Sequence, residues 1–196
     1  MSYAIVDAHH ASAAERRRMA TLLLSTSYLE YCSAANKLRL HCVDLQQRLN
    51  IEPFLDHARL LADDARRLAG FCIAAPRSEL ARVETERPYR DEMQALDDAY
   101  EAFVGAHTTD QDWFVASLAI EPHERGRGLF HSLFDDSVAR ARHAGCARVV
   151  LAVWESNAAL ALYRRKGMRT LARFDVAWPL FFDRLALLAL PLGDSA

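Results

Sequence analysis

The stretch Trp113-Phe-Val-Ala-Ser-Leu-Ala-Ile-Glu-Pro-His-Glu-Arg-Gly-Arg-Gly-Leu-Phe130 joins an apolar run, Trp113 to Ile120, to an amphipathic run that begins at Leu129. Between them lie two glycines and two arginines. A glycine-rich turn between a strand and a helix leaves backbone N–H groups free at the helix start, where the dipole is positive and anions bind. Glycine permits conformations and close approaches that a Cβ blocks, while arginine supplies charge and donors suited to phosphate oxygens. The stretch therefore predicts a strand, a phosphate-holding turn and a helix.

Downstream, Leu129, Leu133, Phe134 and Val138 share one face of that helix, which stops at Gly145. Arg148 to Val153 is an apolar run bounded by polar residues, suitable for a buried strand. Ser156 or Asn157 can cap a helix that runs through Arg165, and Gly167 stands where a helix C-terminal glycine belongs. Arg169 to Val176 and Leu185 to Leu190 give two more strands. Upstream, Tyr3 to Val6 reads as a first strand and Ser12 to Leu24 as a helix with Met19, Leu22 and Leu23 on one face. Leu38, Cys42, Leu45 and Leu49 recur at helical spacing, which predicts a second helix over Ala34 to Leu49. Arg59 to Ala62 and Leu68 to Ala75 form a hairpin around a polar turn. The charged stretch from Arg77 to Asp112 contains Pro88, then Met93, Leu96, Tyr100 and Phe103 at helical spacing, which predicts an inserted helix over Tyr89 to Val104. No internal repeat interrupts this order, so residues 1–196 read as one domain with a helical insertion at about 77–111.

The 196 residues carry a formal charge of −2 and are 52% hydrophobic, enough for one domain with a core. Neither the Arg16–Arg18 run, which reads as a solvated helix face, nor Arg-Gly-Arg-Gly supports a nucleic-acid partner. Cys32, Cys42, Cys72 and Cys146 show no paired spacing and suit reduced core positions, which points to a cytoplasmic protein. No leader-like or membrane-spanning run is evident, since Leu185 to Leu190 is too short to cross a bilayer. The eight histidines form no metal-ligand pattern, so no metal is expected.

Three pieces in order carry a resemblance: Leu118 to Gly128, Val153-Trp-Glu-Ser-Asn157, and Ala161-Leu-Tyr-Arg-Arg-Lys-Gly-Met168. Together they resemble the GCN5-related N-acetyltransferase (GNAT) superfamily. The resemblance implies a mixed α/β (α+β) fold: a central, mostly antiparallel, twisted sheet of about seven strands, splayed between the fourth and fifth strands and flanked by helices. It implies acetyl-CoA as co-substrate, with the pyrophosphate on the backbone amides of Gly126, Arg127, Gly128, Leu129 and Phe130, supplemented by the Arg125 or Arg127 side chain. Leu118 and Ile120 match the strand backbone that pairs with the pantetheine arm, a form of strand addition, and Asn157 and Tyr163 match further CoA contacts.

The chain departs from the family pattern at Phe130, where a small residue is usual; its ring is expected to point into the core, away from the phosphates. By spacing alone Tyr163 is a tyrosine packing beside Leu160. The resemblance assigns it the catalytic role of giving a proton or hydrogen bond to the departing thiolate. The general base is not legible: Glu155, Asp112 and His123 sit near strand ends, but each reads first as a solvated loop residue.

The implied reaction moves an acetyl group to a primary amine of a small molecule or peptide by direct attack. An inactive CoA-binding regulatory or interaction module, or an enzyme using another acyl-CoA, is the alternative. Tyr28, Glu30, Tyr31 and Trp178 fall in regions where the family takes its acceptor, and the acidic insertion reads first as a solvated helix. A homodimer is compatible with the resemblance, and neither nucleic acid nor membrane is implied as a partner.

Overall fold

The apolar run that begins at Arg148 lies inside a sheet, where apolar side chains are needed on both faces. A computed structural model of the chain describes residues 2–26, 51–84, 90–174 and 183–193. Among them β1 (Tyr3–Asp7), β2 (Ala58–Asp63), β3 (Leu68–Pro76), β4 (Asp112–Ile120), β5 (Arg148–Trp154), β6 (Arg169–Phe174) and β7 (Leu185–Pro191) form one sheet in the order β1-β2-β3-β4-β5-β7-β6. Neighbours are antiparallel except for the parallel pair β4–β5. The mostly antiparallel seven-stranded sheet flanked by helices is the one the resemblance implied.

Five α-helices lie among the described residues: α1 (Ala13–Thr26), α2 (Arg77–Leu80), α3 (Arg90–His107), α4 (Leu129–His143) and α5 (Ala159–Arg165). α1 opens on a reciprocal capping box, in which the Glu15 amide donates to Ser12 Oγ at 3.2 Å and the Ser12 amide donates to Glu15 Oε2 at 2.7 Å. On one sheet face Leu129, Leu133, Phe134 and Val138 of α4 join Val149, Leu151 and Val153 of β5 and Leu160 and Tyr163 of α5 in the main core. Burial of each such large apolar side chain contributes about 1.5–3 kcal/mol. On the opposite face Met19 and Leu22 of α1 pack with Phe71, Ile73 and Ala119. There α3 covers the other half of the sheet, Phe103 meeting Val150 and Leu187 while Tyr100 meets Trp154, Phe174 and Leu185.

β4 departs from regular pairing at one point. Ile73 faces Ser117 and Ala74 faces Val115, which leaves Ala116 as an extra residue, a bulge that bends the strand. Just before it, β4 pairs with β5 only from Asp112 to Phe114, against Arg148 to Val150. Beyond that the two strands part, while β5 stays paired with β7 along its whole length.

The inserted helix extends to His107 rather than ending at Val104. Its last turn is held by His107 and Thr108, whose side chains bond the carbonyls of Phe103 and Val104. The short α2 was not anticipated in a stretch read as a charged connection. Arg77 at its start pairs with Glu101 of α3 at 2.7 Å, which couples the two helices. The predicted helix Ala34 to Leu49, Cys32, Cys42, Tyr28, Glu30, Tyr31, Pro88, Tyr89, Trp178 and the strand end at Asp175 and Val176 lie outside the described residues. No helix among the described residues is long and apolar enough to cross a membrane.

Gly70 marks the tightest approach of β3 to β4. A Cβ there would lie 2.6 Å from the Ala119 carbonyl oxygen and 2.7 Å from Ile120 Cδ1. Gly70→Ala should therefore lower stability by about 1–3 kcal/mol, read as a fall in thermal midpoint. An unchanged midpoint would mean that β3 and β4 separate at this position without cost.

Candidate active site

Where β4 and β5 part, a cavity of about 1020 Å³ opens through the sheet. Its lining comes from both faces. Loop residues Glu124–Gly126, Gly128 and the first turn of α4 line it from one side, together with Leu162 and Tyr163 of α5. Ser25 and Thr26 at the end of α1 and Asp97 and Tyr100 of α3 line it from the other.

The loop shape follows from its glycines. Gly126 has φ +81° and Gly128 has φ +79°, conformations that side-chain-bearing residues rarely adopt. Gly128 is the residue from which α4 starts; the His131 amide donates to the Gly128 carbonyl at 2.9 Å, which leaves the Leu129 and Phe130 amides without intrahelical partners. With 15 residues behind it, this helix end attracts anions.

Of the residues predicted for the site, Leu118, Ile120, Arg125, Gly126, Gly128, Leu129, Phe130, Asn157 and Tyr163 all line the cavity, whereas Arg127 does not. Arg125 Nε donates to the Ile120 carbonyl at 3.2 Å, which holds the guanidinium at the cavity mouth. Arg127 turns toward β1, donating to the Tyr3 hydroxyl at 2.9 Å and pairing with Glu124 at 2.9 Å. Tyr3 in turn donates to Glu124 Oε2 at 2.6 Å. These contacts tether the loop to β1. Asn157 Oδ1 accepts from the Ala159 amide at 2.9 Å, the bond of an N-cap residue. Phe130 only partly follows its expectation: it stacks on Phe134 at 5.7 Å and meets Tyr163 edge-on at 5.3 Å, yet still borders the cavity.

Residues 42–168 match the Acetyltransferase (GNAT) family. The chain belongs to that family. Its members use acetyl-CoA, and the chain is accordingly an acyltransferase. No curated protein matches it. Among solved structures it is similar to the C-terminal condensation domain of Ebony in complex with beta-alanyl-dopamine, with TM-score 0.66 at 14% identity, covering 97% of this chain and 98% of that one. It is also similar to Ard1 from Thermoplasma volcanium, with TM-score 0.60 at 11% identity over 97% and 98% of the two chains. The NatC complex bound to Gag peptide and CoA gives TM-score 0.54 at 13% identity, over 98% and 100%. At these identities the likeness is one of fold.

In this acetyltransferase none of the three general-base candidates lines the cavity. Asp112 is buried at the paired end of β4, held by Arg148 at 2.6 and 2.8 Å and by the Thr109 amide at 2.7 Å. Glu155 pairs with Arg173 at 2.7 Å, and His123 is exposed beside Glu124. Asp97 and Glu124 are the carboxylates at the cavity among the described residues. Asp97 belongs to the acidic insertion that the sequence reads first as a solvated helix, Trp154 to the Val153–Asn157 motif, and nothing local marks Ser25 or Thr26 for the cavity. The sequence reading also took Arg16 to Arg18 for a solvated face. Instead Arg18 grips the Glu121 carboxylate with two donors, and Glu121, 1% exposed, follows directly on β4. No group of three or more metal-ligating side chains occurs among the described residues.

Tyr163 is 6% exposed, and burial raises its phenol pKa above the ordinary value, with the Cys72 thiol adding to the rise. It stays protonated at neutral pH and can donate. Burial also pushes the Cys72 thiol from 9.0 up to about 12, against a smaller lowering by Ser137. Because folding raises this pKa, the folded chain keeps a proton that the unfolded chain loses above pH 9, so stability is full below that pH and falls as pH rises towards 12. Melting temperatures measured across that range should decline, and Cys72→Ala should make the decline shallower. An identical slope in the variant would show that the thiol ionises as readily when folded.

Proposed function

We propose that the chain is an acetyl-CoA-dependent N-acetyltransferase acting on a primary amine of a small molecule or peptide. The observation that carries this reading is the cavity itself, which joins a helix-start anion site to a buried, protonated tyrosine across the gap between two parted strands. The described residues suit acetyl-CoA in three respects. The unpaired amides and the positive-φ glycines at the start of α4 form a cradle for a pyrophosphate. The β4 edge at Leu118 and Ile120, unpaired with β5, offers backbone groups to an amide-bearing arm. The volume between the strands suits a ligand of that size.

On this reading the amides of Gly126–Phe130 hold the pyrophosphate, with Arg125 adding charge at the mouth. Arg127 acts through its backbone, since its side chain is committed to Tyr3 and Glu124. Asn157 orders the start of α5 and touches the co-substrate. The neutral amine attacks the thioester carbonyl carbon, so a C–N bond forms, the C–S bond breaks, and the amine's proton leaves to water. Tyr163 gives its proton to the sulfur as negative charge develops there and takes one back from water, so that the acetylated amine and free CoA thiol are the net products. Residues 1–196 form one catalytic domain carrying residues 77–111 as a helical insertion. The absence of paired cysteine spacing supports a cytoplasmic setting.

Release of free CoA thiol from acetyl-CoA across a panel of amines, polyamines, amino acids and peptides tests the reading. Acceptor-dependent release should fall about a hundredfold in Tyr163→Phe, with CoA affinity nearly unchanged. Equal turnover would remove Tyr163 from the acid role. CoA binding without transfer to any amine would leave a CoA-binding module in place of an enzyme.

A further inference from the structure

A pyrophosphate cradle asks only for the backbone of Phe130, because anions at a helix start are held by amides and need no aromatic side chain. Yet the first turn of α4 carries this ring, partly buried against the main core and bordering the cavity. It meets the Tyr163 ring edge-on, with centroids 5.3 Å apart and planes at 68°. It also stacks on Phe134, one turn further along α4, at 5.7 Å and 15°. Phe134 reaches Tyr163 as well, at 5.9 Å and 55°. Two rings of α4 thus close on one ring of α5, and of the two only Phe130 borders the cavity. Tyr163 depends on them more than a hydrogen-bonded tyrosine would. Among the described residues its hydroxyl has no hydrogen-bond partner, so no polar contact aims it. α5 has 7 residues, too few for a helix stable by itself, and the ring's place therefore follows from packing. The far end of α5 is fastened separately, where Lys166 pairs with Asp135 of α4 at 2.6 Å.

We infer that Phe130 is a positioning residue for acetyl transfer: its ring holds the Tyr163 phenol where it can protonate the departing sulfur, while its amide serves the phosphate cradle. The inference rests on the N-acetyltransferase reading and adds to it a residue that acts through Tyr163. A catalytic group misplaced by about 1 Å loses on the order of a hundredfold in rate. A phenol held only through its ring is open to that loss when one wall is removed, since Phe134 alone leaves the cavity side of the ring uncovered. An edge-on aromatic contact is favourable beyond the area it buries, so phenylalanine makes a firmer wall than an aliphatic residue of similar size. One residue at the helix start thereby joins the seating of the co-substrate to the placement of the acid.

Crystal structures of the unaltered protein, Phe130→Ala and Phe130→Leu test the placement without requiring turnover. In both variants the Tyr163 hydroxyl should move by about 1 Å or more, or occupy two positions; the leucine variant keeps most of the apolar volume and so guards against a loss of fold. Single-turnover rates of acetyl transfer then test the consequence in a double-mutant cycle. Phe130→Ala should lower the rate about tenfold in the parent and about twofold or less in the Tyr163→Phe background, because a ring without its hydroxyl gains little from being aimed. The KM for acetyl-CoA, set by the amide that alanine keeps, should move less than the rate. An unmoved Tyr163 hydroxyl in the variants overturns the inference, as does an equal fall in rate in both backgrounds, the mark of a residue that acts on substrate or on the fold at large. Failure of the unaltered protein to bind CoA would strike the acetyltransferase reading, whereas CoA binding and transfer that are indifferent to Phe130 would strike only the role of that ring.

Discussion

The parting of β4 from β5 is the constraint on which the rest depends. Three residue pairs hold the strands together at one end, and beyond Phe114 their facing edges have no partner in each other. Buried backbone groups left unpaired are costly, so a gap of this kind persists only where water or a ligand can complete the pairing. The bulge at Ala116 supplies the bend, and the tight β3–β4 approach at Gly70 keeps β4 with its other neighbour while it leaves β5. β5 is held in turn by full pairing with β7. The opening is thus braced on both sides and does not close by strands sliding together.

Around that opening, polar contacts tie the loop after β4 to α1, β3 and β1. Glu121 leaves β4 and is gripped by Arg18 of α1, while its amide donates to Ala69 of β3 at 2.9 Å. A buried carboxylate is tolerated only when paired and hydrogen-bonded, so this contact fixes both the loop's departure and the helix's position. The Tyr3–Glu124–Arg127 cluster then anchors the loop to β1, leaving its amides directed at the cavity. Such preorganisation matters in an enzyme because dipoles already in place need not reorganise as charge develops.

The two faces of the sheet divide the chemistry. α4 and α5 bring the amide cradle and Tyr163 from one side, and α1 and α3 bring Asp97, Tyr100 and the small hydroxyls from the other. The cavity thus takes its lining from both faces of the sheet. Phe130 and Phe134 pack around Tyr163, and burial there raises the phenol pKa.

By itself the sequence determined the strand, turn and helix around Glu121 to Phe130, the face of α4, the capped start of α5 at Asn157 and the order of the strands. These features depend on contacts a few residues apart, where periodicity, glycine and capping act directly. It also carried the family through three short motifs whose spacing survives in one chain. Tertiary structure alone decided that Arg18 meets Glu121 across 103 positions, that Arg127 turns to Tyr3 rather than to the cavity, and that Asp112 serves an ion pair. It alone brought Asp97 and Tyr100 to the site. Those pairings arise from strand register and from the face on which each helix lands. Neither is written in local pattern, because a charged residue on an amphipathic helix looks the same in sequence whether it meets solvent, an opposite charge or a substrate.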